Sequence, residues 1–84
     1  MNGGGAVKPL VREVVANVLG VRPEEIRAES SPDHFPQWDS AAHIDIVLSL
    51  EAEYGVAFSP EEMLEGLSVE RLENLLRAKG ASLE

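Results

Sequence analysis

Apolar residues recur every three to four positions along the first quarter of the chain. The repeat comprises Val7, Leu10, Val11, Val14, Val15, Val18 and Leu19, and Gly20 follows it directly. This spacing places the side chains on one face of an α-helix, and glycine is a common helix end. Because valine is a mediocre helix former, packing against other helices must hold the segment. We therefore predict a first helix that buries one face in a shared core.

Start and stop signals predict three further helices. Caps are expected at Asp39, Ser59 and Ser68, and ends at Gly55, Gly66 and Gly80. Pro60 suits the first helical position, and Glu62 completes a capping box with Ser59. Neither strand alternation nor an internal repeat is present. The predicted fold is all-α, a small antiparallel four-helix bundle with a short third helix and a long first loop.

The long first loop is predicted to be ordered. It contains three prolines, which argue against a continuous helix, although residues 23–26 suit a single helical turn. Its aromatic residues Phe35 and Trp38 favour packing against the core. The core shared by the long helices is expected to contain Val14, Val47, Leu50 and Leu72.

Composition limits the class of protein. The chain has 84 residues, no cysteine and a net charge of −8, so we expect one small monomeric domain without disulfides or thiolate metal sites. The negative charge disfavours nucleic acid as a partner. No apolar run approaches the roughly 20 residues that span a bilayer, and the start lacks signal-peptide features, so a cytoplasmic protein without a membrane span is expected. Residues 1–6 are predicted to be a flexible tail, 7–80 the helical domain and 81–84 a C-terminal tail.

Ser40 lies at the start of the second helix, inside a strongly acidic part of the chain. Residues 28–70 contain ten Asp or Glu residues and no Lys or Arg. On the same helix Ala41, Ile44 and Leu48 form a second apolar stripe, part of which should be exposed beside Asp45. An accessible serine surrounded by negatively charged residues predicts a site that another protein docks onto and modifies.

Three segments together resemble the acyl carrier protein family, over nearly the whole chain. They are Asp39-Ser40 at the helix start, the acidic run 50–56 and the segment 58–62. The resemblance implies that Ser40 carries a covalent phosphopantetheine arm derived from coenzyme A, whose thiol holds acyl groups as thioesters. It implies a carrier, not an enzyme. Gln37 and Ala41 stand where the family commonly has glycine and leucine, and these departures bear on partner choice.

The resemblance also implies partners. A phosphopantetheinyl transferase would attach the arm, and acyl-transferring and synthase enzymes of fatty-acid, polyketide or other specialised biosynthesis would use it. We expect these enzymes to present basic docking surfaces. The residues expected to meet them are Asp39, Ala41, Ile44, Asp45 and Leu48.

Alternatives remain at this point. In one alternative, the arm carries aminoacyl or peptidyl groups. In the other, the chain is a helical adaptor without an arm, and it binds a partner through Ile44 and Leu48. Ser40 would then be a capping residue only. His34 and His43 are interpreted as loop and helix-surface residues, because no zinc-ligand spacing accompanies them. A hydrolase motif is also absent.

Overall fold

The computed structural model describes residues 10–83, and this part of the chain is all-helical. Four α-helices are present: α1 (Val11–Leu19), α2 (Ser40–Tyr54), α3 (Pro60–Glu65) and α4 (Val69–Ala78). A 3₁₀ turn at Pro23–Glu25 lies in the long loop between α1 and α2. No strand occurs within residues 10–83. The predicted all-α bundle with a short third helix is confirmed.

α1 begins later than the apolar repeat suggests. Leu10 precedes the helix with extended backbone angles, and it is 40% exposed rather than part of the buried stripe. Its amide donates to Glu13 Oε1 at 2.9 Å. The prediction that Val7 belongs to this helix lies outside the described residues. At the other end, Gly20 adopts φ +75°, a left-handed conformation that favours glycine, so the predicted end is confirmed.

The predicted caps form at all three later helices. Asp39 Oδ1 accepts the Ala42 amide at 2.9 Å. Ser59 Oγ accepts the Glu62 amide at 3.1 Å, and Glu62 Oε1 accepts the Ser59 amide at 2.8 Å. Ser68 accepts the amide three residues on, also at 3.1 Å. Because these bonds satisfy amides that have no intrahelical partner, they determine where each helix begins.

The core joins α1, α2 and α4. Its fully buried large side chains are Val11, Val15, Ile46, Val47, Leu50, Leu72 and Leu76. Burial of an aliphatic side chain of this size stabilises a fold by roughly 1.5–3 kcal/mol. The four residues predicted for the core, Val14, Val47, Leu50 and Leu72, are all buried. The prediction of these four core residues is therefore confirmed.

The long first loop is ordered, as predicted. Trp38 is only 2% exposed and belongs to the core. Two backbone hydrogen bonds attach the loop to the start of α4: the Val69 amide donates to the Ser30 carbonyl at 3.1 Å, and the Glu70 amide to the Ala28 carbonyl at 2.9 Å. The loop thus enters α2 from a fixed position.

α3 is attached through an ion pair and through close packing just after its C-terminal end. The Glu62 carboxylate accepts from Lys79 Nζ at 2.7 Å, and that ammonium also lies 5.4 Å from the centre of the Phe58 ring. Just after the helix, Gly66 approaches α4 closely: a Cβ at this position would lie 2.8 Å from Leu72 Cδ2. A side chain at position 66 would require the Leu72 side chain or the backbone around residue 66 to shift.

Candidate functional site

Ser40 is the first residue of α2, and its side chain is exposed. The cap of the helix is Asp39, which accepts the Ala42 amide, so the Ser40 hydroxyl has no capping role. Within residues 10–83 this hydroxyl has no hydrogen-bond partner. The structure therefore leaves a free hydroxyl at a helix start.

The other described serines differ from Ser40. Hydroxyls that accept backbone amides belong to Ser30, Ser31, Ser59 and Ser68. Ser49 is half-buried in α2, and Ser82 is exposed beyond the end of α4. Ser40 alone among them combines exposure with a position in the first turn of a helix.

An open groove of about 670 Å³ is lined by residues of the long loop, α2 and α3, and Ser40 is one of them. Its apolar lining includes Trp38, Ile44, Met63, Leu64 and Leu67. A serine hydroxyl on the lining of an open, mostly apolar groove suits a substituent that leaves the serine and lies along the surface. The residues present thus fit a covalently attached arm.

His43 is buried, and its interpretation as a helix-surface residue is wrong. The side chain lies three residues before Ile46 and four before Val47, so the inner face of α2 includes it. Trp38 Nε1–H donates to His43 Nδ1 at 3.1 Å, and His43 Nε2 lies 2.8 Å from the Met63 carbonyl oxygen. The two rings stack with centroids 6.1 Å apart.

The hydrogen bonds of His43 determine its tautomer. An indole N–H only donates, so Nδ1 must accept, and the proton must lie on Nε2, where it is donated to the Met63 carbonyl. Both ring nitrogens are then engaged. His43 is consequently not available as a base for the Ser40 hydroxyl, although it lies only three residues away.

The residues predicted to meet partners lie on one accessible surface. Exposed positions are Asp39, Ala41, Ile44, Asp45 and Leu48, with Ile44 46% and Leu48 55% exposed. The sequence analysis missed Leu64 of α3, which is 72% exposed and lines the groove with Ile44. We call Ile44, Leu48 and Leu64 the apolar docking face.

The acidic residues around Ser40 are almost entirely unneutralised. In residues 10–83 two ion pairs form: Lys79 with Glu62, and Arg22 with Glu25, which lies outside the acidic window. The hydrogen bond from Lys79, with the Ser59 amide, lowers the pKa of Glu62 from its ordinary value. The remaining carboxylates of residues 28–70 have no cationic partner in the described part of the chain, so this segment, which includes Ser40, carries uncompensated negative charge.

Two further findings concern residues 10–83 only. None of the helices there has the length and apolarity that crossing a membrane requires. Clusters of three or more potential metal ligands are also absent from this part of the chain.

Comparisons with known proteins agree with one another. The family described as phosphopantetheine attachment site matches residues 9–76. An acyl carrier protein of Petrotoga mobilis is 30% identical over 69 residues, which cover 82% of this chain and 81% of the relative. An acyl carrier protein of Bdellovibrio bacteriovorus is 27% identical over 75 residues, 89% of this chain and 96% of the relative. The similarity extends over the whole helical fold rather than over one motif.

Proposed function

Because the chain belongs to the acyl carrier protein family, whose members carry covalent phosphopantetheine and are not enzymes, we propose that Ser40 is the attachment residue of this chain. The proposal rests on the free, exposed Ser40 hydroxyl, which lies at the start of α2 and lines the apolar groove. When bound, the group supplies a thiol that holds acyl groups as thioesters.

Attachment requires a separate transferase. In the proposed step Ser40 Oγ forms a bond to the phosphorus that bears the pantetheine, and the pyrophosphate bond of coenzyme A breaks. Adenosine bisphosphate leaves, and the hydroxyl proton passes to a base of the transferase. Both ring nitrogens of His43 are hydrogen-bonded within the fold, so this neighbouring residue does not serve as the base. An unactivated serine is suited to a carrier, since it reacts only when an enzyme engages it.

The start of α2 favours the negative charge that attachment introduces. The first amides of a helix have no intrahelical partners, and the aligned peptide dipoles give this end a partial positive charge. Asp39 occupies the Ala42 amide, which leaves the earlier amides of the turn to face a phosphodiester on Ser40. This placement offsets part of the repulsion from the Asp39 and Asp45 carboxylates.

The proposed partners dock on the same side of the molecule. The apolar docking face offers exposed side chains from α2 and α3, and unpaired carboxylates surround it. A transferase or biosynthetic enzyme with a basic rim and an apolar centre complements this arrangement. Charge would mainly set the association rate, and burial of Ile44, Leu48 and Leu64 would mainly set dissociation.

The lining of the groove favours acyl cargo. Its side chains are mostly apolar, which suits contact with the alkyl chain of an acyl group. We therefore place the chain among carriers that present acyl groups to fatty-acid, polyketide or related biosynthetic enzymes. An aminoacyl or peptidyl carrier is the less favoured assignment.

Intact-mass analysis tests the proposal. The chain is incubated with coenzyme A and a broad-specificity phosphopantetheinyl transferase, and its mass should rise by one phosphopantetheine group. Ser40→Ala should keep the helical circular dichroism spectrum and gain no mass. Ser49→Ala, which removes a half-buried hydroxyl from the same helix, should gain the same mass as the chain without a substitution. Loading of Ser40→Ala would overturn the assignment.

A further inference from the structure

α3 supplies part of the groove, but little apolar packing attaches it to the rest of the fold. None of its residues is buried, although Met63 packs partly against the core. Two polar contacts hold it to other helices: the Glu62–Lys79 ion pair joins it to α4, and the Met63 carbonyl accepts from His43 of α2. Elements with little buried apolar surface move most easily. These two contacts, together with the bond from the Phe58 amide to Glu51 Oε2 and the close approach of Gly66 to Leu72, therefore hold α3 in place.

The contact from His43 is the one next to Ser40. His43 belongs to the first turn of α2 and reaches across 20 residues of sequence to the carbonyl of α3. Trp38, just before α2, fixes the tautomer that makes the second ring nitrogen a donor. Three parts of the chain, the end of the loop, α2 and α3, are thereby joined through a single imidazole.

We propose that His43 is a positioning residue that sets the distance between α2 and α3, so that Ile44 and Leu64 form one continuous docking face beside Ser40. The inference rests on the proposed attachment at Ser40. His43 does not touch the reacting atoms. It acts through the Met63 carbonyl, and its loss should let α3 move away without changing the hydroxyl or its cap.

Two variants separate the two hydrogen bonds of His43. His43→Gln keeps an acceptor and a donor on one side chain, long enough for the donor to reach the Met63 carbonyl. His43→Asn keeps the same groups but is one methylene shorter, so it retains the Trp38 bond and loses the bond to α3. Val15→Ala, a cavity-forming change at a fully buried position of α1, is the control for general destabilisation.

Steady-state loading by the transferase gives the first readout. We expect His43→Asn to raise KM about fivefold, the factor that corresponds to the net loss of one hydrogen bond. The value of kcat should hardly change, because Ser40 and Asp39 are untouched. His43→Gln should load with a KM near that of the unmodified sequence, and Val15→Ala should leave KM unchanged while it remains folded.

Hydrogen exchange gives the second readout. The amides of Met63 and Gly66, which donate within α3 and at its end, should exchange faster in His43→Asn, while those of α4 keep their protection. Unchanged KM and exchange in His43→Asn would overturn the inference, as would an equal rise of KM in Val15→Ala. If the chain without a substitution fails to load, the proposed attachment at Ser40 is wrong. That result is distinguishable from failure of the inference on His43, in which the chain loads but His43→Asn behaves like it.

Discussion

Both α3 and α4 begin after a serine whose hydroxyl caps the first turn, yet α4 buries Val69, Leu72 and Leu76 while α3 buries no residue. Cap chemistry thus sets where a helix starts, but burial sets how firmly it is held. α4 is part of the core that defines the fold. α3 is attached by an ion pair, a histidine and a partly buried methionine.

This difference coincides with function in the proposed account. The groove beside Ser40 lies on the side of α3, and Leu64 supplies its most exposed apolar side chain. A docking surface on a weakly anchored helix can adjust to several enzymes, whereas the core beneath it stays fixed. The inner face of α2 packs in the core, and its outer face, with Ile44 and Leu48, faces partners.

The largest effect that tests the comparison concerns stability. Leu72→Ala should lower the free energy of unfolding by about 2–5 kcal/mol, because it leaves a cavity between the helices. Leu64→Ala, the same truncation on α3, should change it by no more than about 0.5 kcal/mol, since the side chain is 72% exposed. Chemical denaturation measures both. Equal losses would show that α3 is as firmly packed as α4.

A change of charge near Ser40 should slow loading by the transferase while leaving the stability of the fold almost unchanged. Asp45 is exposed one turn beyond Ser40. We expect Asp45→Lys to slow loading by the transferase up to about tenfold at low salt, because steering by opposite charge raises association rates. Loading rates at substrate concentrations below KM provide the measurement.

The matched control makes the same charge change further along α2. Glu53→Lys, at an exposed position near the C-terminal end of the helix, should slow loading less than Asp45→Lys. Added salt should slow loading of the chain without a substitution and reduce the difference between its loading rate and that of Asp45→Lys. The reason is that exposed charges are screened beyond about 8–10 Å near physiological ionic strength. Rates that depend neither on salt nor on residue 45 would show that docking is apolar.

The smallest expected effect is the response of α3 to acid. Lys79 and the Ser59 amide lower the pKa of Glu62 below its ordinary value of 4.5. The carboxylate therefore stabilises the fold fully above pH 4.5, and this contribution is lost as the pH falls through the lower folded-state pKa.

Hydrogen exchange, corrected for intrinsic rates, should show this acid response in α3 before α4. In Glu62→Gln, which cannot titrate, the difference between the two helices should not change below pH 4.5. If α3 and α4 lose protection together in the unmodified chain, the ion pair with Lys79 does not control α3 separately.

The sequence predicts most of the fold because its signals are local. A cap such as Asp39 and a stop such as Gly20 act within one helical turn, and the inner face of α2 follows from spacing alone. Leu10 was misplaced because the spacing continues past the true helix start. Periodicity does not show where the backbone becomes extended.

The features missed at the site depend on long-range contacts. His43 has the spacing of the inner face, but the polarity of its side chain predicts exposure. Its partner in α3 is a backbone carbonyl 20 residues away, which carries no sequence signal. Leu64 carries no sequence signal as a site residue, because it lines the groove with Ile44 only through the position of α3 relative to α2.

Localisation of the modification on the loaded chain tests the central claim most directly. After transfer from coenzyme A, fragmentation of the intact protein or of its peptides identifies the residue that carries phosphopantetheine. We expect a single modification, on Ser40, and no phosphopantetheine on the capping serines or on the exposed Ser82. Phosphopantetheine on any other residue, with Ser40 unmodified, would contradict it.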